Sequence, residues 1–370
     1  MRIVFAGGGT GGHLYPGLAI ARALVIFEPR VRPLFVGAQR GVERDVLPGA
    51  GFEYLLLDLH PLYRARPWEN WRTAAGMASA WRTLGKAFSA ERPALVVGTG
   101  GYASGAALGY AVAHGIPIAL QEQNSAPGLT TRFFAPRARA LFLGVPEAAF
   151  ALRGRAASVV ADTGNPIEPP PDVRPDRAAA RRAWGFPETG GMVILAFGGS
   201  QGARGINEAV DAWIARGLPP DTYLIWGTGR GPYENFSHRQ SSRVAVRPYL
   251  SPIAHAYAAA DLAVARSGAL TLAELNAWGI PSILVPLPTA AADHQTANAR
   301  ALEAAGGAVV IAQAELTTER LDSTVRALAA DPARVAAISA AALGRARPKA
   351  ADDIASRILN LVNMPAARES

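Results

Sequence analysis

Cysteine is absent from the 370 residues. The chain can therefore form no disulfide, no thiolate nucleophile, no Cys-ligated zinc site and no iron–sulfur cluster. Lysine is scarce, at Lys86 and Lys349 only, and neither follows a glycine loop. No G-x-x-x-x-G-K-[ST] occurs, which argues against a P-loop NTPase. No Asp-x-Asp pair is present to hold a metal on a nucleotide diphosphate. No uninterrupted apolar run approaches the ~20 residues that span a bilayer. Strand-like residues begin at Ile3 and leave no room for a signal peptide, so a soluble or peripherally attached cytoplasmic protein is expected. Charged residues make up only 18% against 50% hydrophobic ones, a core-forming composition, and the length suggests two domains. The net charge of +8 favours anionic partners without choosing among nucleotides, phospholipids and nucleic acid.

What is present is the alternation of an α/β protein. Residues 2–6 form a buried-strand run, Gly7–Gly12 a glycine turn, and His13–Leu24 carries apolar residues at helical spacing. Strand, glycine turn and helix open a Rossmann-like unit. Strand-like runs at 34–37, 94–98 and 117–120 follow, separated by helix-length segments, which implies a parallel sheet covered on both faces. Four prolines in residues 163–172 rule out a regular element there. Beyond them the pattern restarts with a strand at 192–197, a glycine turn at Gly198–Gly202 and a helix from Ala203. Further strands are expected near 223–226, 243–246, 261–265, 282–285 and 308–311, with a terminal helical run over about 351–362. The expected layout is a Rossmann-like domain over 1–162, a linker over 163–176, a second such domain over 177–345 and a helical tail over 346–370.

Gly7, Gly9 and Gly12 satisfy G-x-G-x-x-G, which brings an anion close to a helix N-terminus. A nicotinamide site also needs an acid closing the second strand, and that strand ends Val36-Gly-Ala-Gln-Arg40. One glycine turn can serve strand–helix packing alone, whereas two turns opening two halves argue against packing alone and leave a nucleotide diphosphate as one candidate ligand. Lacking a P-loop lysine and a metal motif, such a site must meet the diphosphate charge with backbone N–H groups and helix dipoles.

Seven stretches together resemble the MurG family of bacterial UDP-N-acetylglucosamine:lipid I N-acetylglucosaminyltransferases. They are GGGTGGHLYPGLAIA (7–21), GTGGYASGA (98–106), GIPIALQEQNSAPGLTTR (115–132), TGNPI (163–167), GGSQGARGINEA (198–209), RSGALTLAELNAWGIPSILVPLP (266–288) and DHQTANARALEAAGGAVVI (293–311). They stand in family order and span most of the chain. The resemblance implies a GT-B fold, two Rossmann-like domains across a cleft, with the donor held mainly by the C-terminal domain. It implies inverting, metal-independent transfer of GlcNAc from UDP-GlcNAc to the C4 hydroxyl of MurNAc in lipid I, giving lipid II for peptidoglycan, with no cofactor and no nucleic-acid partner. An anionic membrane surface and other cell-wall synthesis proteins are the remaining partners it implies, with peripheral attachment on the cytoplasmic face of the cell membrane.

Carried over residue by residue, Thr10, Gly11 and Gly12 match the loop facing donor diphosphate and acceptor. His13 follows at a helix N-terminus, where the dipole disfavours its charged form; it is either the general base or a capping histidine. Glu122 is the rival base, or a buried carboxylate that caps a loop. Asn124 matches a sugar or acceptor contact, and Tyr102 and Asn207 match acceptor-side positions. On the donor side stand Ser200, Gln201 and Gly202 at the second helix start, Leu250 whose backbone would read uracil, and Ala269, Leu270, Thr271, Leu272 and Ala273. Glu274 would accept both ribose hydroxyls, and Gln295 and Asn298 would contact GlcNAc hydroxyls. Three positions depart from the family pattern: Glu168 where arginine usually follows GNP, Gln121 where histidine is common, and Ala106 where proline is common.

Tyr63–Phe88 interleaves Trp68, Trp71, Trp81 and Phe88 with Arg64, Arg66, Arg72, Arg82 and Lys86, Glu69 being the one acid. Such a mixture suits an anionic membrane interface. Alternatively, Ala74, Met77, Trp81, Leu84 and Phe88 form a core-facing helical stripe, leaving Trp68 and Trp71 to insert. Two other readings stand beside the transferase: another GT-B enzyme, such as a UDP-sugar epimerase or natural-product glycosyltransferase, and a basic nucleic-acid-binding protein.

Overall fold

The computed structural model describes residues 1–60, 68, 70–152, 159–199 and 201–363. The chain divides into two units: Met1–Glu168 with the segment from Arg347 onward, and Pro169–Ala346. In the first unit, β1 (Arg2–Gly7), β2 (Arg32–Ala38), β3 (Glu53–Leu57), β4 (Leu95–Gly100), β5 (Ile118–Glu122), β6 (Ala140–Leu143) and β7 (Val159–Asp162) form one sheet in the order β3-β2-β1-β4-β5-β6-β7. In the second, β8 (Met192–Phe197), β9 (Thr222–Gly227), β10 (Val244–Arg247), β11 (Leu262–Ala265), β12 (Ser282–Leu284) and β13 (Ala308–Val310) take the order β10-β9-β8-β11-β12-β13. All neighbouring strands are parallel. Both sheets thus begin at their third position and step outward in each direction, the doubly wound arrangement that leaves a crevice at the strand carboxyl ends beside the first strand.

Apolar runs without alternation follow from burial on both faces. On β1, Val4 and Ala6 join a core with Leu84, Phe88 and Leu108, while Ile3 and Phe5 face Leu14, Leu18 and Leu24 on the opposite side. On β8, Ile194 and Ala196 lie on one face with Trp213 and Trp226, and Val193 and Leu195 on the other with Tyr257 and Leu275.

The segment expected as a linker is divided. Thr163 and Gly164 donate N–H bonds of 3.1 and 3.0 Å to the Leu143 carbonyl, and Thr163–Ile167 is buried in the first unit. Proline prevents a ladder there but not packing. The tail is a helix, Ala350–Asn363, whose Ile354, Ala355 and Ile358 complete the core beneath the helix Gly11–Phe27. Three strands escape the sequence pattern: β3, half exposed, and the four-residue β6 and β7. On the helix Asn70–Ala90, Ala80, Leu84 and Phe88 are buried. Met77 and Trp81 remain over a third exposed, so the expected stripe is buried only toward its C-terminal end, although Trp81 leans on Tyr110 at 5.2 Å. Tyr63, Arg64, Arg66 and Glu69, and the side chains of Arg72 and Ala74, lie outside the described residues.

Candidate active site

In the first unit the carboxyl ends of β1, β4 and β5 bring His13, Tyr102, Glu122 and Asn124 onto neighbouring loops. His13 is the third residue of the helix Gly11–Phe27, and its Nδ1 lies 3.2 Å from both the Gly8 carbonyl and Thr10 Oγ1. A carbonyl can only accept, so the Gly8 contact is made by a ring protonated at Nδ1, the tautomer whose neutral form has its lone pair on Nε2. The imidazole lies against Gly100 and Gly101 at the end of β4. A Cβ on Gly101 would stand 2.2 Å from the Gly8 carbonyl oxygen and 3.1 Å from His13 Nδ1, so side-chain-free backbone is needed there. Tyr102 opens the next helix with its ring over Gly9. Thr10 is exposed and Gly11 and Gly12 form the helix's first turn.

Glu122 ends β5 and is 3% exposed. Its Oε1 accepts from the Asn124 N–H at 3.0 Å and the Asn124 amide at 3.3 Å; its Oε2 accepts from the Gly128 N–H at 3.0 Å and Thr131 Oγ1 at 2.6 Å. Four donors converge on it, the geometry of the loop-capping carboxylate that stood as the alternative to a base at Glu122. Gln121, where the family commonly has histidine, belongs to a buried amide network: its Nε2 donates to Asn165 Oδ1 at 3.3 Å, Gln123 donates to Gln121 and to the Thr99 carbonyl, and Asn165 donates to the Gln123 carbonyl.

In the second unit β8 ends at the loop Gly198–Gly202, and the helix Arg204–Arg216 follows. Gln201 is exposed; Ser200 lies outside the described residues. The loop packs on the turn after β9, where a Cβ on Gly202 would stand 2.0 Å from the Thr228 carbonyl oxygen. Asn207 departs from expectation. It is 1% exposed, donates to Thr228 O at 2.8 Å and accepts from Trp226 Nε1 at 3.1 Å, so it ties helix to strand instead of reaching an acceptor.

After β11, Ser267 and Gly268 lead into the helix Ala269–Trp278, whose first turn contains Ala269, Leu270 and Thr271; Leu272 is buried and Ala273 half-buried. Glu274, also half-buried, accepts from Tyr257 Oη at 2.7 Å. Burial first, and then the neighbouring Glu274 charge, push the Tyr257 phenol well above its ordinary range, so it stays a donor. Leu250 buries its side chain against Gly227, leaving its backbone as the presenting part. Gln295 Oε1 accepts the Leu287 N–H at 3.0 Å, and Asn298, 4% exposed, donates to the Ser267 carbonyl at 3.3 Å. Through that bond Asn298 holds the loop before the helix Ala269–Trp278.

Arg266, which opens the matched stretch 266–288 with no role assigned to it there, is 8% exposed. Its guanidinium donates to the carbonyls of Val285 and Pro286 at 3.0 and 3.1 Å and to Gln313 Oε1 at 2.6 Å. Gln313 packs on Gly205 in the first turn of the helix that the second loop opens. Among the described residues no carboxylate pairs with Arg266, and burial holds its pKa below the usual arginine range. Tyr257 likewise escaped sequence reading, because its partner lies 17 residues away.

Two Rossmann-like units, each with a glycine loop at the carboxyl end of its central strand, define the GT-B class of glycosyltransferase fold. Residues 3–143 match the glycosyltransferase family 28 N-terminal domain and residues 193–357 its C-terminal domain. The UDP-N-acetylglucosamine--N-acetylmuramyl-(pentapeptide) pyrophosphoryl-undecaprenol N-acetylglucosamine transferase of Moorella thermoacetica is 40% identical over 98% of this chain and 99% of its own length. A crystal structure of Acinetobacter baumannii MurG matches with a TM-score of 0.75 at 26% identity, covering 97% of this chain and 99% of that one. The chain belongs to the MurG family within glycosyltransferase family 28. The S. aureus MnaA–UDP co-structure, with TM-score 0.69 and 16% identity over 100% of this chain and 99% of that one, shares the fold alone.

Proposed function

We infer that this enzyme transfers GlcNAc from UDP-GlcNAc to the C4 hydroxyl of MurNAc in undecaprenyl-pyrophosphoryl-MurNAc-pentapeptide, inverting the anomeric carbon and releasing UDP. The observation that carries this reading is 40% identity, over 98% of the chain, to a transferase of that name. His13 Nε2 takes the C4 hydroxyl proton, the oxygen attacks the anomeric carbon, and the bond from that carbon to the diphosphate breaks. The charge that develops on UDP is met by the N–H group at Gln201 and those at the start of the helix Ala269–Trp278, with the buried Arg266 cation behind them. Glu274 holds the ribose, the Leu250 backbone reads uracil, and Gln295 reaches the GlcNAc hydroxyls. Tyr102 serves the acceptor, Asn124 the donor sugar or the acceptor, and Glu122 keeps the Asn124 loop in shape.

Peripheral attachment to the cytoplasmic face of an anionic membrane belongs to the same reading. Trp68 and Trp71 are 72% and 66% exposed, and Arg82 and Lys86 are exposed on the adjoining helix. Among the described residues no single helix is long and apolar enough to cross a membrane. The test is incubation of purified enzyme with labelled UDP-GlcNAc and a short-chain lipid I analogue, with and without EDTA. Disaccharide-lipid product in both reactions is expected. Epimerisation without acceptor, or transfer only to a non-lipid acceptor, would overturn the assignment; activity lost in EDTA and restored by magnesium would overturn the metal-free account of the leaving group.

A further inference from the structure

An acid does follow the second strand, but it is turned inward. Glu43 lies five residues beyond Ala38, the last residue of β2, and is fully buried. Its Oε1 accepts the Ala38 N–H at 3.0 Å and its Oε2 the Gly9 N–H at 2.9 Å. The space it occupies is made by three glycines from three segments. A Cβ on Gly8, Gly37 or Gly41 would stand 1.8, 2.7 or 1.9 Å from Glu43 side-chain atoms. The Gly9 N–H and the Gly8 carbonyl belong to one peptide plane, and in a trans peptide they point in opposite directions. One side of that plane is held by Glu43; the other accepts from His13 Nδ1 at 3.2 Å. Glycine stands on both sides of this peptide, at φ 152° and 85°, so the chain itself offers little resistance to the plane turning over.

We propose that Glu43 is a positioning residue for the transfer: by clamping the Gly8–Gly9 peptide it keeps the Gly8 carbonyl on His13 Nδ1, and so keeps the imidazole lone pair on Nε2, where the acceptor hydroxyl proton is taken. This rests on the assignment of His13 as the base. With the clamp gone, the peptide turns, the carbonyl leaves Nδ1, and the ring loses the contact that selects its tautomer. A defect in proton transfer then appears without a defect in donor binding.

The experiment compares full-length wild type, Glu43→Gln, His13→Ala and the double variant by steady-state kinetics, with histidine ¹⁵N spectra of the folded proteins. Glu43→Gln is expected to lower kcat about 10- to 100-fold with the UDP-GlcNAc KM within about twofold, and to shift the acidic limb of the kcat–pH profile. The double variant is expected to be no slower than His13→Ala. The spectra should show a protonated Nδ1 at His13 in the wild type and a mixture of tautomers in Glu43→Gln. Should Glu43→Gln not fold, Gly41→Ala, whose methyl crowds the carboxylate, should give the same kcat-selective loss and tautomer mixture. If His13→Ala keeps wild-type kcat, the base assignment itself fails. If His13→Ala is impaired while Glu43→Gln keeps wild-type kcat, pH profile and tautomer, or if the two losses multiply in the double variant, the clamp alone is overturned.

Discussion

Behind the first glycine loop lies a buried carboxylate, Glu43; the second is backed by a buried guanidinium, Arg266. The strands beside the two loops follow the same order, so topology does not distinguish them. Their surroundings do. The Glu43 side chain takes up the Gly9 N–H, so that donor serves the loop itself and is not offered outward. Among the described residues the guanidinium bonds to oxygens of neutral groups, and no carboxylate offsets its charge. A repeated fold thus carries a buried acidic side chain behind one loop and a buried basic one behind the other.

Breaking the first half of this comparison carries the largest expected effect. His13→Ala should lower kcat about 10²–10⁴-fold, the usual weight of a general base, while UDP affinity stays unchanged; a parallel loss of UDP affinity in calorimetry would place His13 on the donor instead. Next comes Glu274→Ala, expected to weaken UDP binding by about 1.5–3 kcal/mol, the range for hydrogen bonds to a charged group, with Tyr257→Phe giving a smaller loss in the same assay. Unchanged affinity in Glu274→Ala would sink the ribose assignment. Arg266→Met sharpens the contrast of charges: UDP should bind more weakly by about 1–2 kcal/mol, the scale of one charge acting on another roughly 10 Å away through protein. Uridine, which lacks the diphosphate, should bind as before; equal weakening of both would reduce Arg266 to a tie between strand ends. The smallest effect per residue is at the membrane. Arg82→Glu with Lys86→Glu should cut co-sedimentation with anionic liposomes by about 1 kcal/mol per reversed residue, and high salt should erase the difference. Trp68→Ala with Trp71→Ala should reduce sedimentation in a salt-independent way, with UDP-GlcNAc affinity unaltered. Wild-type sedimentation by both folded variants would move the lipid contact elsewhere.

Legibility in the sequence followed burial and chain distance. Strands buried on both faces, such as β1 and β8, read as unbroken apolar runs, and the glycine loops after them stand out because little else places so many glycines between strand and helix. Ala-Leu-Phe-Leu of β6 and Val-Val-Ala-Asp of β7 are too short to show a period. Motif positions located loops but not the direction of side chains, which is why Asn207 was expected at the acceptor and proves to be a buried tie. Glu43 grips a loop 34 residues away, and no local pattern announces such a partner, although the flanking Gly37 and Gly41 are its trace in the sequence.

The return of the chain to its first unit bears on how the protein is made. Ile354, Ala355 and Ile358 cover apolar surface on the helix Gly11–Phe27, yet they follow all of residues 169–346 in the chain. A ribosome emits the first unit's seven strands, then an entire second unit, and only afterward the helix that closes the first. Until then the face of the helix Gly11–Phe27 that the last helix covers stays open, an apolar surface of the kind that invites chaperones or aggregation. The second unit, whose strands are contiguous, is under no such delay and can finish folding before the first.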